Sequence, residues 1–287
     1  MVKISVPIHV TGFWIIRRDS DVIRTGSVGV GIVLNPRIEI SVKMCRGITN
    51  QIYINDRLVR LKIIDDVIKE FSPNERVIIK VNSKVDLGVG YGASGALCLG
   101  TAVGLALIKG MSILKASHIA HKVEVENMTG LGDVVAEYYG GKLVVREKPG
   151  PPGIGRVRKI DVPDDIKILT VPLGYEETCK ILKYENEINR YGELAFTKFI
   201  RDPNFVNFLK LAYEFSKKLN FIPSDVEQIM SRLKDLVLGY YVKKKVLVIA
   251  CRVENLKRVS NYLNSNGYEV LIHELESSGI RFRRYGL

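Results

Sequence analysis

The sequence predicts an α+β fold built in two halves, and three observations carry that prediction. Val- and Ile-rich runs of period two recur between stretches of helical spacing along all 287 residues. A glycine-rich loop stands between a strand and a long run of small and aliphatic residues in the first half. Near the middle, Lys148-Pro149-Gly150-Pro151-Pro152-Gly153 interrupts any regular structure. The last sets two expected lobes, residues 1–153 and residues 154–287.

Taken in order, strands are expected at 3–7, 37–43 and 76–82, each alternating in Val and Ile. Asn55-Asp56, between 52–54 and 57–61, predicts a tight hairpin turn. Residues 61–71 have helical spacing that stops before Pro73. A buried helix follows over 94–109, and a second runs from about Ser112, a suitable N-cap, to Asn127. Residues 134–139 form a short helix that Asp133 is placed to cap, and 142–147 form a strand. The second half begins with strands at 156–162 and 166–172. Helices follow across 176–219 and 224–238, broken at Asp202-Pro203 and at Pro223. A strand at 245–251, a helix at 254–264 and a strand at 268–274 close the chain, with Asn266-Gly267 as a turn. That order suggests an α/β sandwich of the split βαβ type.

Composition narrows the class. Hydrophobic residues make up 46% and charged residues 26%, an ordinary globular balance. No apolar run is long enough to cross a bilayer, and the N-terminus reads directly into a strand without the segments of a signal peptide. Cys45, Cys98, Cys179 and Cys251 are scattered with no CxxC pair, which suits reduced thiols in a cytoplasmic protein and offers no zinc site. The formal charge of +12 is spread along the chain, and its densest runs, Lys243-Lys244-Lys245 and 281–284, lie at strand edges. We therefore expect no nucleic acid and no membrane as partner, but a solvated basic surface that favours a polyphosphate.

The loop Leu87-Gly88-Val89-Gly90-Tyr91-Gly92-Ala93-Ser94-Gly95-Ala96 carries the chemistry. Glycine at alternate positions permits positive φ and close approach of a ligand. Main-chain N–H groups and the positive end of the helix starting near Ser94 can then converge on a di- or triphosphate. Gly90, Gly92 and Gly95 also satisfy the dinucleotide fingerprint, but the first helix runs into another helix where that fold needs a strand. A Walker loop fails as well, for want of Gly-Lys-Ser/Thr. The bland alternative is a turn that only allows close packing.

Glu124 and Glu126 end the second helix, and Thr129-Gly130-Leu131-Gly132-Asp133 forms a tight loop behind it. Phosphoryl transfer from ATP to a hydroxyl needs Mg2+ on the phosphate oxygens and a group that orients the hydroxyl. A helical glutamate and the Ser94 hydroxyl suit magnesium, which prefers a few hard oxygen ligands. Asp133, on its glycine-flanked turn, is then free to face the hydroxyl. The ordinary alternative makes the glutamates surface charges and Asp133 a helix cap.

Together these residues resemble the GHMP kinases, the superfamily of galactokinase, homoserine kinase and mevalonate kinase. Val89-Gly90-Tyr91-Gly92-Ala93-Ser94-Gly95-Ala96 is similar to their glycine-rich loop, and Thr129-Gly130-Leu131-Gly132-Asp133 with Gly140-Gly141 to a later segment. Within the superfamily the archaeal pantoate kinases are most similar, through Val6-Pro7-Ile8-His9-Val10-Thr11-Gly12-Phe13-Trp14, through Gly26-Ser27-Val28-Gly29-Val30-Gly31 and through Glu124-Val125-Glu126-Asn127 ahead of Thr129. The resemblance is firm over 1–150 and thin beyond 160. It implies a two-lobed GHMP architecture whose first lobe resembles ribosomal protein S5 domain 2. It also implies ATP- and Mg2+-dependent phosphorylation of the 4-hydroxyl of pantoate in coenzyme A biosynthesis. Asp133 matches the catalytic aspartate, Ser94 the loop serine, and Glu124 or Glu126 the metal-binding glutamate. Two departures stand out. Leu238-Gly239-Tyr240-Tyr241 sits where a third glycine loop is expected but has one glycine, and His9 stands near where some members place a lysine.

Pantoate is a small carboxylate with two hydroxyls and a geminal dimethyl group. Arg146 is a candidate cation for it, His9, Thr11 and Ser27 candidate polar contacts, and Phe13 and Trp14 a candidate apolar wall. A homodimer is compatible with this reading. Two alternatives stay open: another GHMP kinase such as an archaeal shikimate kinase, and a non-catalytic relative acting as a sensor or nucleic-acid binder.

Overall fold

Two long strands organise the first half, β1 (Val2–Arg17) and β2 (Gly26–Cys45), paired antiparallel along most of their length. The expected strands at 3–7 and 37–43 are only parts of these. Register shifts between Val6 and Ile8 and between Thr11 and Phe13 absorb Pro7 and Gly12, so the strand bends where the sequence suggests a stop. This computed structural model describes residues 1–71, 75–176, 181 and 183–284. Pro73, Cys179 and part of the helix expected from 176 lie outside the described residues; Cys45, Cys98 and Cys251 are free thiols.

Local chemistry sets the next elements. β3 (Gln51–Ile54) and β4 (Arg57–Val59) form a hairpin whose turn residues Asn55 and Asp56 have φ of 47° and 64°. Asn and Asp tolerate that left-handed region, which a two-residue hairpin needs. After α1 (Lys62–Phe71) and β5 (Arg76–Asn82) comes α2 (Ala93–Lys109), apolar nearly all round because it is covered by the sheet on one side and by α1 and α3 (Ile113–Glu126) on the other. Ser112 holds the N-cap position of α3, though its side chain makes no capping bond. α4 (Asp133–Tyr139) begins at Asp133 itself, with Gly132 in the cap position, so Asp133 is not the cap. β6 (Leu143–Lys148) pairs with β2 and with β7 (Arg156–Ile160), so paired strands flank the Pro/Gly stretch at 149–153.

The second half starts with β8 (Ile166–Pro172), followed by α5 (Glu185–Arg201) and α6 (Phe205–Lys218), which pack on β1. Phe13 meets Phe199 and Phe208 there, with ring centroids 5.9 and 6.0 Å apart. α7 (Ser224–Arg232) leads to β9 (Gly239–Lys243), a strand not expected from the sequence, and then to β10 (Val246–Arg252). A 3-10 turn (Val253–Asn255), α8 (Leu256–Ser265), β11 (Leu271–Leu275) and β12 (Arg281–Arg284) complete the described chain. β11 stitches the halves, pairing Leu275 with Leu34 of β2 and Leu271 with Thr170 of β8. β12 returns to β1. One apolar core therefore runs from β1 and α2 through α5 and α6 to β10, and a second lies between β8, β10, α7 and α8.

Candidate active site

The glycine loop bounds a cleft of about 350 Å³ at the N-terminus of α2. Gly88, Gly90 and Gly92 have φ of 80°, 136° and 69°, conformations that other residues rarely adopt. Tyr91 anchors the loop from beneath. Its hydroxyl lies 2.8 Å from Thr170 Oγ1, which lies 2.7 Å from His273 Nε2, while His273 Nδ1 lies 3.1 Å from the Asn35 carbonyl. The carbonyl can only accept, so Nδ1 donates, Thr170 donates to Nε2 and Tyr91 donates to Thr170. The loop also leans on the β9–β10 hairpin: Lys245 N–H donates to the Val89 carbonyl at 3.1 Å, and a Cβ on Gly90 would fall 2.7 Å from the Lys243 carbonyl.

Asp133 stands at the inner end of the cleft. Its Oδ1 accepts from His9 Nδ1 at 2.7 Å, and His9 Nε2 accepts from Arg146 Nη1 at 3.1 Å, which fixes one tautomer of a neutral imidazole. Burial, aided by Arg146, pushes His9 down to about 4 against the pull of the Asp133 hydrogen bond. Burial alone would raise Asp133, but the His9 hydrogen bond and the charges of Lys243 and Arg146 hold it well below the usual carboxylate range. Arg146 is 1% exposed, reaches Thr11 Oγ1 at 3.4 Å, and its Nε has no partner among the described residues. Gly132 makes this approach possible, because a Cβ there would lie 2.4 Å from Ser27 Oγ and 2.6 Å from Arg146 Nε. Thr11, Ser27, Arg146 and Trp14 line a narrow second pocket that opens at Asp133.

Behind the loop, Glu124 accepts from Ser94 Oγ at 3.3 Å and from Thr129 Oγ1 at 2.8 Å. Burial pushes it up to about 7, and it makes no ion pair among the described residues. Gly130 leaves room for it, since a Cβ there would come within 2.1 Å of Oε2. A buried carboxylate beside a hydroxyl, with the Lys244 charge nearby as a minor influence, is a donor set that fits Mg2+. Glu137, one turn after Asp133, is fully buried with neither oxygen partnered among the described residues, and burial, followed by the charges of Asp133 and Glu124, raises it well above the usual carboxylate range.

The geometry sorts the expected residues. Gly88, Gly90, Gly92, Ala93 and Ser94 line the cleft, whereas Gly95 packs toward Asp133 and Glu137, and Ala96 is buried. His9, Thr11, Ser27, Arg146 and Asp133 come together. Glu126 does not join them: its side chain is 45% exposed, 4.0 Å from Lys122. Ala116, Ala120, Val123 and Glu124 share the buried face of α3, and Glu126 falls off that stripe. Phe13 belongs to the core, packed on Phe199 and Phe208 and lining neither pocket, whereas Trp14 lines the second. Residues 238–241 form no glycine loop, since Gly239 opens β9 and packs on Leu209. The sequence marks Lys243 only as part of a basic strand edge and does not mark Tyr175, yet both line the cleft. Lys243 lies 4.2 Å over the Trp14 ring, and burial, then Lys244, pushes it down to about 7.

A two-lobed α+β frame with a phosphate-type loop facing a half-buried aspartate is the GHMP kinase architecture, and the GHMP kinases N terminal domain matches residues 59–141. The pantoate kinase of Methanocaldococcus jannaschii is 36% identical over 236 residues, 80% of this chain and 84% of that one. A solved phosphotransferase related to the CoA biosynthesis pathway superposes with a TM-score of 0.90 at 25% identity, covering 99% of both chains. The mevalonate kinase of Methanococcus jannaschii shares the fold, with a TM-score of 0.72 at 16% identity over 96% of this chain and 98% of that one. The chain belongs to the pantoate kinase family of the GHMP kinases.

Proposed function

We propose that this chain is an ATP-dependent kinase that phosphorylates the primary 4-hydroxyl of pantoate, giving 4-phosphopantoate for coenzyme A biosynthesis. The observation that carries the acceptor is Arg146, a buried guanidinium whose Nε has no partner among the described residues, in a pocket that opens at Asp133. A buried guanidinium with a donor to spare suits an anion, and a carboxylate beside the Trp14 ring suits a small hydroxy acid with methyl groups. Thr11, Ser27 and Thr129 offer hydroxyl contacts in the same pocket, beside Trp14. The relatives named pantoate kinase support the same acceptor.

In this reading residues 1–153 form the ATP-binding lobe and residues 154–287 the lobe that closes the cleft. Leu61, Ile63 and Tyr175 hold the base, and the triphosphate lies on the glycine loop with its N–H groups and the N-terminus of α2. Ser94 and Glu124 would hold Mg2+, which would supply positive charge to the phosphate oxygens. Asp133 directs Oδ2, the oxygen not bonded to His9, at the acceptor hydroxyl. The bond from the γ-phosphorus to the β,γ-bridging oxygen breaks, a bond to the acceptor oxygen forms, and the hydroxyl proton passes to Asp133 and then to water. So acidic a carboxylate acts by orienting the hydroxyl and taking its proton late, as suits a loose transition state. His9 is a positioning residue that keeps Asp133 ionised and aimed. With ATP as donor, the setting is cytoplasmic.

The test is ADP release with Mg2+-ATP and a panel of pantoate, shikimate, homoserine and mevalonate. Turnover with pantoate alone is expected, and Asp133→Asn is expected to lower it by about 100-fold or more. Turnover with another acceptor, or none despite ATP binding, refutes the assignment.

A further inference from the structure

The hairpin between β9 and β10 brings a cation to the junction of the two pockets. Tyr241 and Lys243 lie on one face of β9, two residues apart, and that face turns toward β1, where the Tyr241 hydroxyl donates to the Val10 carbonyl at 3.3 Å. The turn residue Lys244 has φ of 54°, which reverses the chain at once and leaves Lys243 at the tip. The close approach of Gly90 and the bond from Lys245 to Val89 fix that tip beside the glycine loop. Lys243 is one of four residues, with Thr129, Asp133 and Lys244, that line both the nucleotide cleft and the pocket of Arg146. Its ammonium makes no hydrogen bond or ion pair among the described residues and rests on the face of Trp14.

We propose that Lys243 is a further catalytic residue, whose ammonium meets the terminal phosphoryl of the nucleotide as it passes from the cleft to the acceptor beside Asp133. The proposal rests on the kinase reading above but not on the identity of the acceptor. A cation held on an indole face, in place of a carboxylate, keeps its charge available for phosphate oxygens. During transfer, negative charge spreads over the equatorial oxygens of the phosphoryl group, and a fixed ammonium between donor and acceptor stabilises it there. No proton need move at Lys243, and the bonds made and broken remain those of the transfer itself.

Two measurements test this. Trp14 is the single tryptophan of the chain, so its emission reports on the ammonium above it. Adding a non-hydrolysable ATP analogue to the wild-type protein should change that emission, and adding ADP should change it far less. In Lys243→Met the emission difference should vanish. Affinity for the analogue should drop about tenfold while ADP binds within twofold of wild type, and kcat should drop about 100-fold or more. Lys243→Arg should restore part of the turnover. A Lys243→Met protein that turns over within threefold of wild type and keeps its preference for the analogue overturns the proposal, as does an unchanged wild-type emission. If the wild type phosphorylates none of the acceptors tested, the pantoate assignment fails, while the nucleotide comparison still decides the role of Lys243.

Discussion

Replacing Gly90 by alanine isolates how the second half of the chain positions the site. Gly90 has φ of 136°, and Gly174, in the segment after β8, has a nearly equal φ of 134°. Alanine is strained in that region by about 1–3 kcal/mol at either position. The surroundings differ. At Gly174 a Cβ meets nothing within 4 Å among the described residues, whereas at Gly90 it falls 2.7 Å from the Lys243 carbonyl and 3.0 Å from Val246 Cγ1. Ordinary contact begins near 3.4 Å, so the tip of the hairpin must retreat by about 0.7 Å, the difference between 3.4 and 2.7 Å. Transfer reactions lose about 100-fold for a misplacement near 1 Å, so a loss of roughly tenfold or more in kcat is expected. Denaturant unfolding and ADP release measure the two effects separately. Both variants should lose about 1–3 kcal/mol of stability, and only Gly90→Ala should lose turnover. Equal turnover in the two variants would refute the claim that the hairpin positions the site.

Three further outcomes are expected. Arg146→Leu should raise the KM for pantoate by about 10- to 100-fold, the worth of charge-assisted hydrogen bonds to a carboxylate, and leave nucleotide affinity unchanged; an unchanged KM would move the carboxylate elsewhere. Ser94→Ala should weaken Mg2+-ATP more than it weakens pantoate, and the reverse pattern would remove Ser94 from the phosphate site. Stability should also fall in acid. Burial first of all lowers His9, His121 and His273 from 6.5 to about 4, so between those values the unfolded chain binds protons that the folded one refuses. The histidines' contribution is full above about pH 6.5 and is lost as pH falls toward 4, by up to about 3 kcal/mol for each. It is offset in part by Glu124, which is raised to about 7 and adds up to about 3 kcal/mol as pH falls to 4.5, and by Glu137, which is raised in the same direction. A denaturation midpoint that stays flat from pH 7 to 4 would contradict this.

Much of the frame was legible because local rules decide it. Glycines at 88, 90 and 92 and the apolar run behind them mark the loop and α2 almost to the residue, and Asn55-Asp56 marks its turn. The lengths of β1 and β2 were hidden by residues that serve the site. His9, Thr11, Ser27 and Gly31 break the apolar alternation, yet each stays paired in the ladder. Glu124 and Glu126 were separable in principle, since only Glu124 continues the stripe of Ala116, Ala120 and Val123. The rest depends on contacts across the chain. His9 and Asp133 are 124 residues apart, and nothing near Lys243 in the sequence tells that its hairpin folds over the glycine loop. Three consecutive lysines read as a solvated edge until the backbone places the first of them inward.

The central claim concerns one bond, between the γ-phosphorus of ATP and the 4-oxygen of pantoate. Phosphorus NMR of the product, after incubation with Mg2+-ATP and pantoate, reads it directly. A phosphate ester on the primary 4-hydroxyl gives a signal split into a triplet by the adjacent methylene protons, and the account predicts that signal together with one ADP per ester. A doublet would place the ester on the secondary hydroxyl and contradict the position of Asp133. ADP with inorganic phosphate and no ester would contradict transfer to pantoate itself.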